Sequence, residues 1–222
     1  MPLFVKRLDW YLHYRPKLAA LVSRWNTPGA DDTRLLAMTR AFRASKLLER
    51  VLDENEFLSG YGVRALSRYH RDHPYVFETD GFRSEVKYVP GESDSDLFGG
   101  NSNWRGPIWM PLNYLIVESL RKFDKFFGED FKLECPMGSG QMYSLRQIAD
   151  ELRNRLSNIF RRDGKGRRPV FGGYEKLQTD PHFKDHILFY EYFDGDNGRG
   201  AGASHQTGWS GLIANMITEL HE

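Results

Sequence analysis

The chain has 222 residues with 31 basic and 30 acidic side chains, a formal net charge of +1, and aromatic residues make up 14% of it. That balance excludes an intrinsically disordered chain and argues against nucleic acid as a partner, since phosphate binding wants a clear basic excess. One cysteine, Cys135, excludes an internal disulfide framework and a multi-cysteine zinc cage, and no apolar run reaches the roughly 18 residues of a membrane span.

The opening stretch, MPLFVKRLDWYLHYRPK, carries a charge every few residues. It does not read as a signal peptide, so the expected setting is soluble, with the cytoplasm favoured. Leu3, Leu8, Leu12, Leu18, Leu21 and Val22 predict helix, with Pro16 as a kink or break. Asn26-Thr27-Pro28-Gly29 marks a loop. Asp31 and Asp32 offer N-cap chemistry to a helix carrying Leu35, Met38, Phe42, Leu48 and Leu52. Tyr61 to Arg71 reads as one more short helix.

After Pro74 the period changes. Tyr75 and Phe77, then Val86 and Tyr88, flank Asp80-Gly81 and predict a β-hairpin. Gly91 to Trp104 is a polar, glycine-rich loop. Pro111 suits a first helical turn, and Leu112, Leu115, Ile116, Ser119, Leu120 and Phe123 form one face. Ser144 and Gln147 make a capping box ahead of Ile148, Leu152, Leu156 and Ile159. His182 to Tyr192 is a further candidate helix. Trp209, Leu212, Ile213, Met216, Ile217 and Leu220 give the cleanest helical stripe. The predicted class is mostly α, with one small β element. Glycine-rich loops at 98–106, 137–140, 164–173 and 194–204 are longer than helical hairpins need, which points to function.

Two constellations carry chemistry. The first runs from Phe98-Gly99-Gly100-Asn101-Ser102-Asn103 into Trp104-Arg105-Gly106-Pro107-Ile108-Trp109. Indole rings stack on the apolar faces of sugars, while amides and guanidinium bind hydroxyls. An irregular loop anchored in the core by Trp104 and Trp109 is the alternative. The second runs from Tyr190-Glu191-Tyr192-Phe193 through Asp194-Gly195-Asp196-Asn197-Gly198-Arg199-Gly200 to His205-Gln206-Thr207-Gly208-Trp209. A carboxylate wrapped by aromatics suits a tuned acid or base; a water-exposed glutamate is the alternative.

Trp104-Arg105-Gly106-Pro107-Ile108-Trp109, continuing to Asn113-Tyr114, resembles a segment of glycoside hydrolase family 63, the processing α-glucosidase I group. Glu191, with Gly198-Arg199-Gly200, Gly202 and Gly208-Trp209 behind it, resembles that family's second signature and, more remotely, the trehalase one. The resemblance implies an (α/α)6 toroid of helical hairpins with its sugar site on the axis. It also implies inverting hydrolysis of α-glucosides or related oligosaccharides by two carboxyl groups, with Glu191 as general base. Trp104, Arg105, Trp109, Asn113, Gln206 and Trp209 are the expected sugar-binding residues; no cofactor and no metal is implied. The family's general acid, an Asp in a Glu-Ser-Gly-x-Asp-like stretch, has no counterpart between Met1 and Phe98. Residues 1–222 are therefore expected to be the C-terminal part of one catalytic domain, a partial toroid with a β-hairpin insertion. Such a chain would be inactive alone and partnered by the N-terminal half. A non-catalytic carbohydrate-binding or regulatory helical domain is the rival reading, and a purely structural helical domain a third.

Weaker signals have plainer readings. Asp194-Gly195-Asp196-Asn197-Gly198 has a calcium-loop flavour, but His205 stands where the bidentate glutamate belongs. His182 and His186 would share a helix face, without a third ligand. Asp94 and Asp96 read as loop carboxylates, and Arg161, Arg162, Lys165, Arg167 and Arg168 as a solvated turn.

Overall fold

A computed structural model describes residues 2–22, 27–29, 33–35, 37, 39, 41–94 and 104–218. Asp31, Asp32, Met38, Asp96, the 98–103 part of the first loop and Leu220 lie outside the described residues. Within them the fold is mostly helical, with four separate two-stranded antiparallel sheets.

Helix α1 (Pro2–Tyr14) ends two residues before Pro16, which opens α2 (Pro16–Ala19), so the proline acts as a break. Helix α3 spans Ala41–Val51, starting later than expected; Leu35 is outside any helix. The expected helix over Tyr61–Arg71 is replaced by a tight hairpin, β1 (Leu58–Ser59) with β2 (Gly62–Val63), and a 3-10 turn over Arg68–Arg71. The reason is tertiary. Gly62 takes a φ of +129° that favours glycine, and the Asn113 amide receives the Val63 N–H at 2.8 Å and donates to its carbonyl at 3.0 Å.

The β3–β4 hairpin (Tyr75–Thr79, Phe82–Val86) forms in the predicted place, with Asp80 and Gly81 both at positive φ, as a tight hairpin turn demands. Helix α4 (Met110–Phe127) has Pro111 in its first turn. Its buried side is Met110, Asn113, Val117 and Leu120, with Phe126 closing the last turn. The face read from the sequence is real, but it lines an open apolar groove against Leu47, Leu48 and Val51 of α3, and Leu112 and Leu115 are exposed. Strands β5 (Lys132–Glu134) and β6 (Met142–Ser144) lead into α5 (Leu145–Asn158), whose capping box from Ser144 and Gln147 is present as expected.

Helix α6 is one turn and a half, Glu175–Thr179, and no helix covers His182–Tyr192. Pro181 follows, and the Asp180 carboxylate takes the His182 N–H at 2.8 Å, capping a turn. Beyond it the chain extends to pair with residues 203–206: Glu191 N–H donates to the Ala203 carbonyl and Gln206 N–H to that of Phe189, both at 2.8 Å. His182 and His186 therefore share no helix face, which removes the basis for pairing them. The hairpin β7 (Tyr192–Phe193) and β8 (Gly200–Ala201) leads to α7 (Thr207–Ser210) and α8 (Leu212–Thr218). The apolar stripe thus falls on two short helices joined at Gly211.

The core lies around α5, where Ile148, Leu152, Leu156 and Ile159 meet Leu52, Leu58, Ile108, Met110, Phe171 and Phe193, all fully buried. Buried Arg153 donates to the Met216 carbonyl at 3.1 and 2.8 Å, a cation placed where α8's last carbonyls need a partner.

Candidate active site

Ile108 joins the two sequence motifs. It exchanges backbone hydrogen bonds of 2.7 and 3.0 Å with Phe193, and bridges Arg64 on its other side. Side chains alternate along extended backbone. Ile108 and Phe193 therefore enter the core together, and Trp109 and Tyr192 pack together on the opposite face, both still buried, their rings 5.0 Å apart. Trp104 stacks on Trp109 at 4.2 Å and 6°, and Trp209 from α7 reaches it at 5.4 Å. Trp109 is only 3% exposed, whereas Trp104 is 46% and Trp209 38% exposed. One motif's indoles and the other's aromatic rings thus form a single shelf, with a buried centre and two accessible edges.

Glu191 stands next to this shelf, half-buried. Its Oε2 accepts the Ala203 N–H at 3.3 Å, and Gly202 lets the backbone close over it. A β-carbon at Gly202, which sits at φ +68°, would come within 2.7 Å of that oxygen and of the Tyr192 ring. Gln206 begins α7, its carbonyl receiving the Trp209 and Ser210 N–H groups at 2.9 and 3.0 Å, so it sets where Trp209 stands.

Two other expected sugar ligands are placed inward. Arg105 is buried and meets Asp94 at 3.3 Å and the Ser93 hydroxyl at 3.1 Å. Lys87 approaches the same carboxylate at 2.9 Å and leads in holding it below its ordinary value, so Asp94 is ion-paired rather than free in the loop. Asn113 is also buried and joins β2 to the first turn of α4, donating to the Val63 and Trp109 carbonyls. Asn113→Ala is expected to leave the buried N–H and carbonyl of Val63 without their amide partner. The loss should be about 1–3 kcal/mol of stability, read as a lowered midpoint in chemical unfolding.

The Asp194 carboxylate accepts the Asp196 and Asn197 N–H groups at 2.9 and 3.1 Å, capping its own loop. The sequence marks Asp196 only as part of a calcium-loop-like stretch, because the partners it has in the structure are distant in the chain. It accepts from the Tyr88 hydroxyl at 2.7 Å and pairs with Arg71 at 2.5 Å and Arg64 at 3.3 Å. Burial pushes the Tyr88 hydroxyl up, with the bond to Asp196 adding to it. Burial alone would raise the Asp196 carboxyl, but Tyr88, Arg71 and Arg64 outweigh it and hold it below its ordinary value. A depressed folded value contributes stability that is complete above the unfolded value, about 3.9, and is lost as pH falls through the folded one. Asp196→Asn is therefore expected to flatten the acid limb of a pH–stability curve while leaving its shape near neutrality, measured by melting at a series of pH values.

Comparison with known proteins gives these residues a context. The family model described as "Glycosyl hydrolase family 63 C-terminal domain" matches residues 33–219. An uncharacterized protein of Saccharomyces cerevisiae is 47% identical over 98% of this chain and 20% of its own length. A probable mannosyl-oligosaccharide glucosidase of Schizosaccharomyces pombe is 28% identical over 80% of this chain and 15% of its own length. For an Arabidopsis thaliana protein named alpha-glucosidase 2 the figures are 34%, 52% and 11%. The chain belongs to glycosyl hydrolase family 63. It spans a fifth or less of the length of these relatives.

Proposed function

We propose that this chain is the base-bearing part of an inverting glycosidase acting on an α-glucoside or a related oligosaccharide. The observation that carries this reading is the position of Glu191, hydrogen-bonded through Gly202-Ala203 beside an aromatic shelf built from both motifs. The names of the relatives, glucosidases among them, support the substrate class. Glu191 acts as the base that takes a proton from water as it attacks the anomeric carbon. Trp104 and Trp209 offer the apolar face of the sugar a surface to stack on, with Trp109 and Tyr192 fixing their planes. The general acid, supplied from outside these residues, protonates the leaving oxygen from about 6.5–9.5 Å away, the spacing that leaves room for water.

The same reading completes the fold as an (α/α)6 toroid. The groove between α3 and α4, about 510 Å³ and lined almost wholly by aliphatic and phenyl side chains, receives the neighbouring helices of the N-terminal half. The 222-residue chain alone is then expected to leave α-glucosides uncleaved, because general acid catalysis is worth typically about 10²–10⁴-fold.

The test is the anomeric form of the first product. The intact protein, given an α-glucoside and followed by proton NMR, should release β-glucose before mutarotation. Release of α-glucose would overturn the inverting assignment. Binding without cleavage would select a carbohydrate-binding domain instead.

A further inference from the structure

A hollow of about 400 Å³ lies between the 163–173 loop and the turn at 197–199, lined among others by Tyr61, three arginines (Arg167, Arg168 and Arg199), one carboxylate (Asp163) and Asn197. We propose that it is a binding site for a phosphate group, carried by a sugar phosphate.

Its walls are built rather than incidental. Val170 and Phe171 are buried and anchor the loop. The Gln178 amide clamps it by accepting the Arg168 N–H at 2.9 Å and donating to the Arg168 and Gly172 carbonyls at 2.9 and 3.0 Å. Asp163 Oδ1 takes the Lys165 and Arg167 N–H groups at 2.8 and 2.9 Å, fixing the tip. On the opposite wall the stem of Arg199 lies against Gly172, where a β-carbon would come within 2.6 Å of it. The bare glycine is what lets that arginine lie across the rim.

The charges in this hollow are unevenly answered. Arg167 is held by Glu175 through bonds of 2.7 and 3.0 Å. Among the described residues, no carboxylate lies within ion-pair distance of Arg168 or Arg199. Nε of Arg168 is shielded from water and has no acceptor. Burial, then the nearby Arg162, pushes the Arg168 guanidinium down, Asp185 answers part of that shift, and Nη1 donates to the Phe160 carbonyl, so an anion in the hollow would act on this cation through its charge. Asn197 spends its side-chain oxygen on the Arg199 N–H at 2.9 Å, which turns its amide hydrogens to other use.

Phosphate fits this donor set better than a carboxylate. A phosphate monoester carries up to two negative charges and three acceptor oxygens pointing apart, and arginine matches it with paired N–H bonds. The hollow also has far more room than a bare phosphate fills, and Tyr61 offers a ring beside it. Those two features favour a phosphate attached to a sugar.

The experiment is isothermal titration of the intact protein with inorganic phosphate, glucose 6-phosphate and glucose. Both phosphates should bind, glucose 6-phosphate more tightly. Arg199→Met keeps the stem on Gly172 and removes the charge, and should weaken both by about tenfold or more. Asn197→Asp, an exposed change that sets a carboxylate against the ligand, should do the same should Arg199→Met fail to fold. Glu191→Gln should leave phosphate binding unchanged, which separates this site from the proposed catalysis. Equal affinity for the two phosphates would reassign the ligand as inorganic phosphate and overturn the sugar-phosphate assignment. No binding of either, or native affinity in a folded Arg199→Met or Asn197→Asp protein, would overturn the site itself.

Discussion

Glu191→Gln in the intact protein is expected to lower kcat by about 10²–10⁴-fold while KM stays within a few-fold. The amide keeps the size of the side chain, and its oxygen can still accept the Ala203 N–H. It cannot take a proton from water. Binding energy common to the ground and transition states is untouched, so the loss should fall on kcat. Glu175→Gln is the control: that carboxylate lies on α6, and Arg167 leads in holding it below its ordinary value at an exposed position. Its replacement should leave hydrolysis near native. Near-native kcat in Glu191→Gln, together with its collapse in Glu175→Gln, would put the base on the wrong carboxylate.

The second large effect is on stability. Trp109→Ala should cost about 3–5 kcal/mol, the usual range for emptying a buried indole site. Trp109 is enclosed by Trp104, Tyr192 and Trp209, and its removal deprives all three rings of a neighbour. Trp104→Ala, at the exposed edge, should instead raise KM more than it lowers kcat or the unfolding midpoint. Circular dichroism in urea, alongside steady-state kinetics, distinguishes the two. A Trp109→Ala protein with native stability would show that the shelf has no structural centre.

What was legible in the sequence was local. The Ser144–Gln147 capping box, Pro111 at the start of α4 and Asp80-Gly81 at the hairpin tip are satisfied by residues a few positions apart, and all three stand in the structure. Tyr61–Arg71 and His182–Tyr192 failed where distant backbone groups competed for the chain: Asn113 captured Val63, and residues 203–206 captured 189–191. A helical period cannot report such partners. On α4 the period was right and its meaning was not, since two faces are apolar and the sequence does not say which is covered. The site divides similarly. The motifs marked Glu191 and the indoles, but gave no sign that Arg105 and Asn113 turn inward, or that Asp196 ties Arg64, Arg71 and Tyr88 together.

The exchange of hydrogen bonds between Ile108 and Phe193 sets a phase as well as a contact. Side chains on extended backbone swap faces with every step. Gaining or losing a single residue between Pro107 and Trp109, or between Glu191 and Phe193, would send an indole or a tyrosine into the core and a core residue out to the aromatic shelf. Length in these two segments is therefore as constrained as residue type. The tip of the β3–β4 hairpin, exposed on both strands, can grow or shrink by pairs of residues without disturbing that phase.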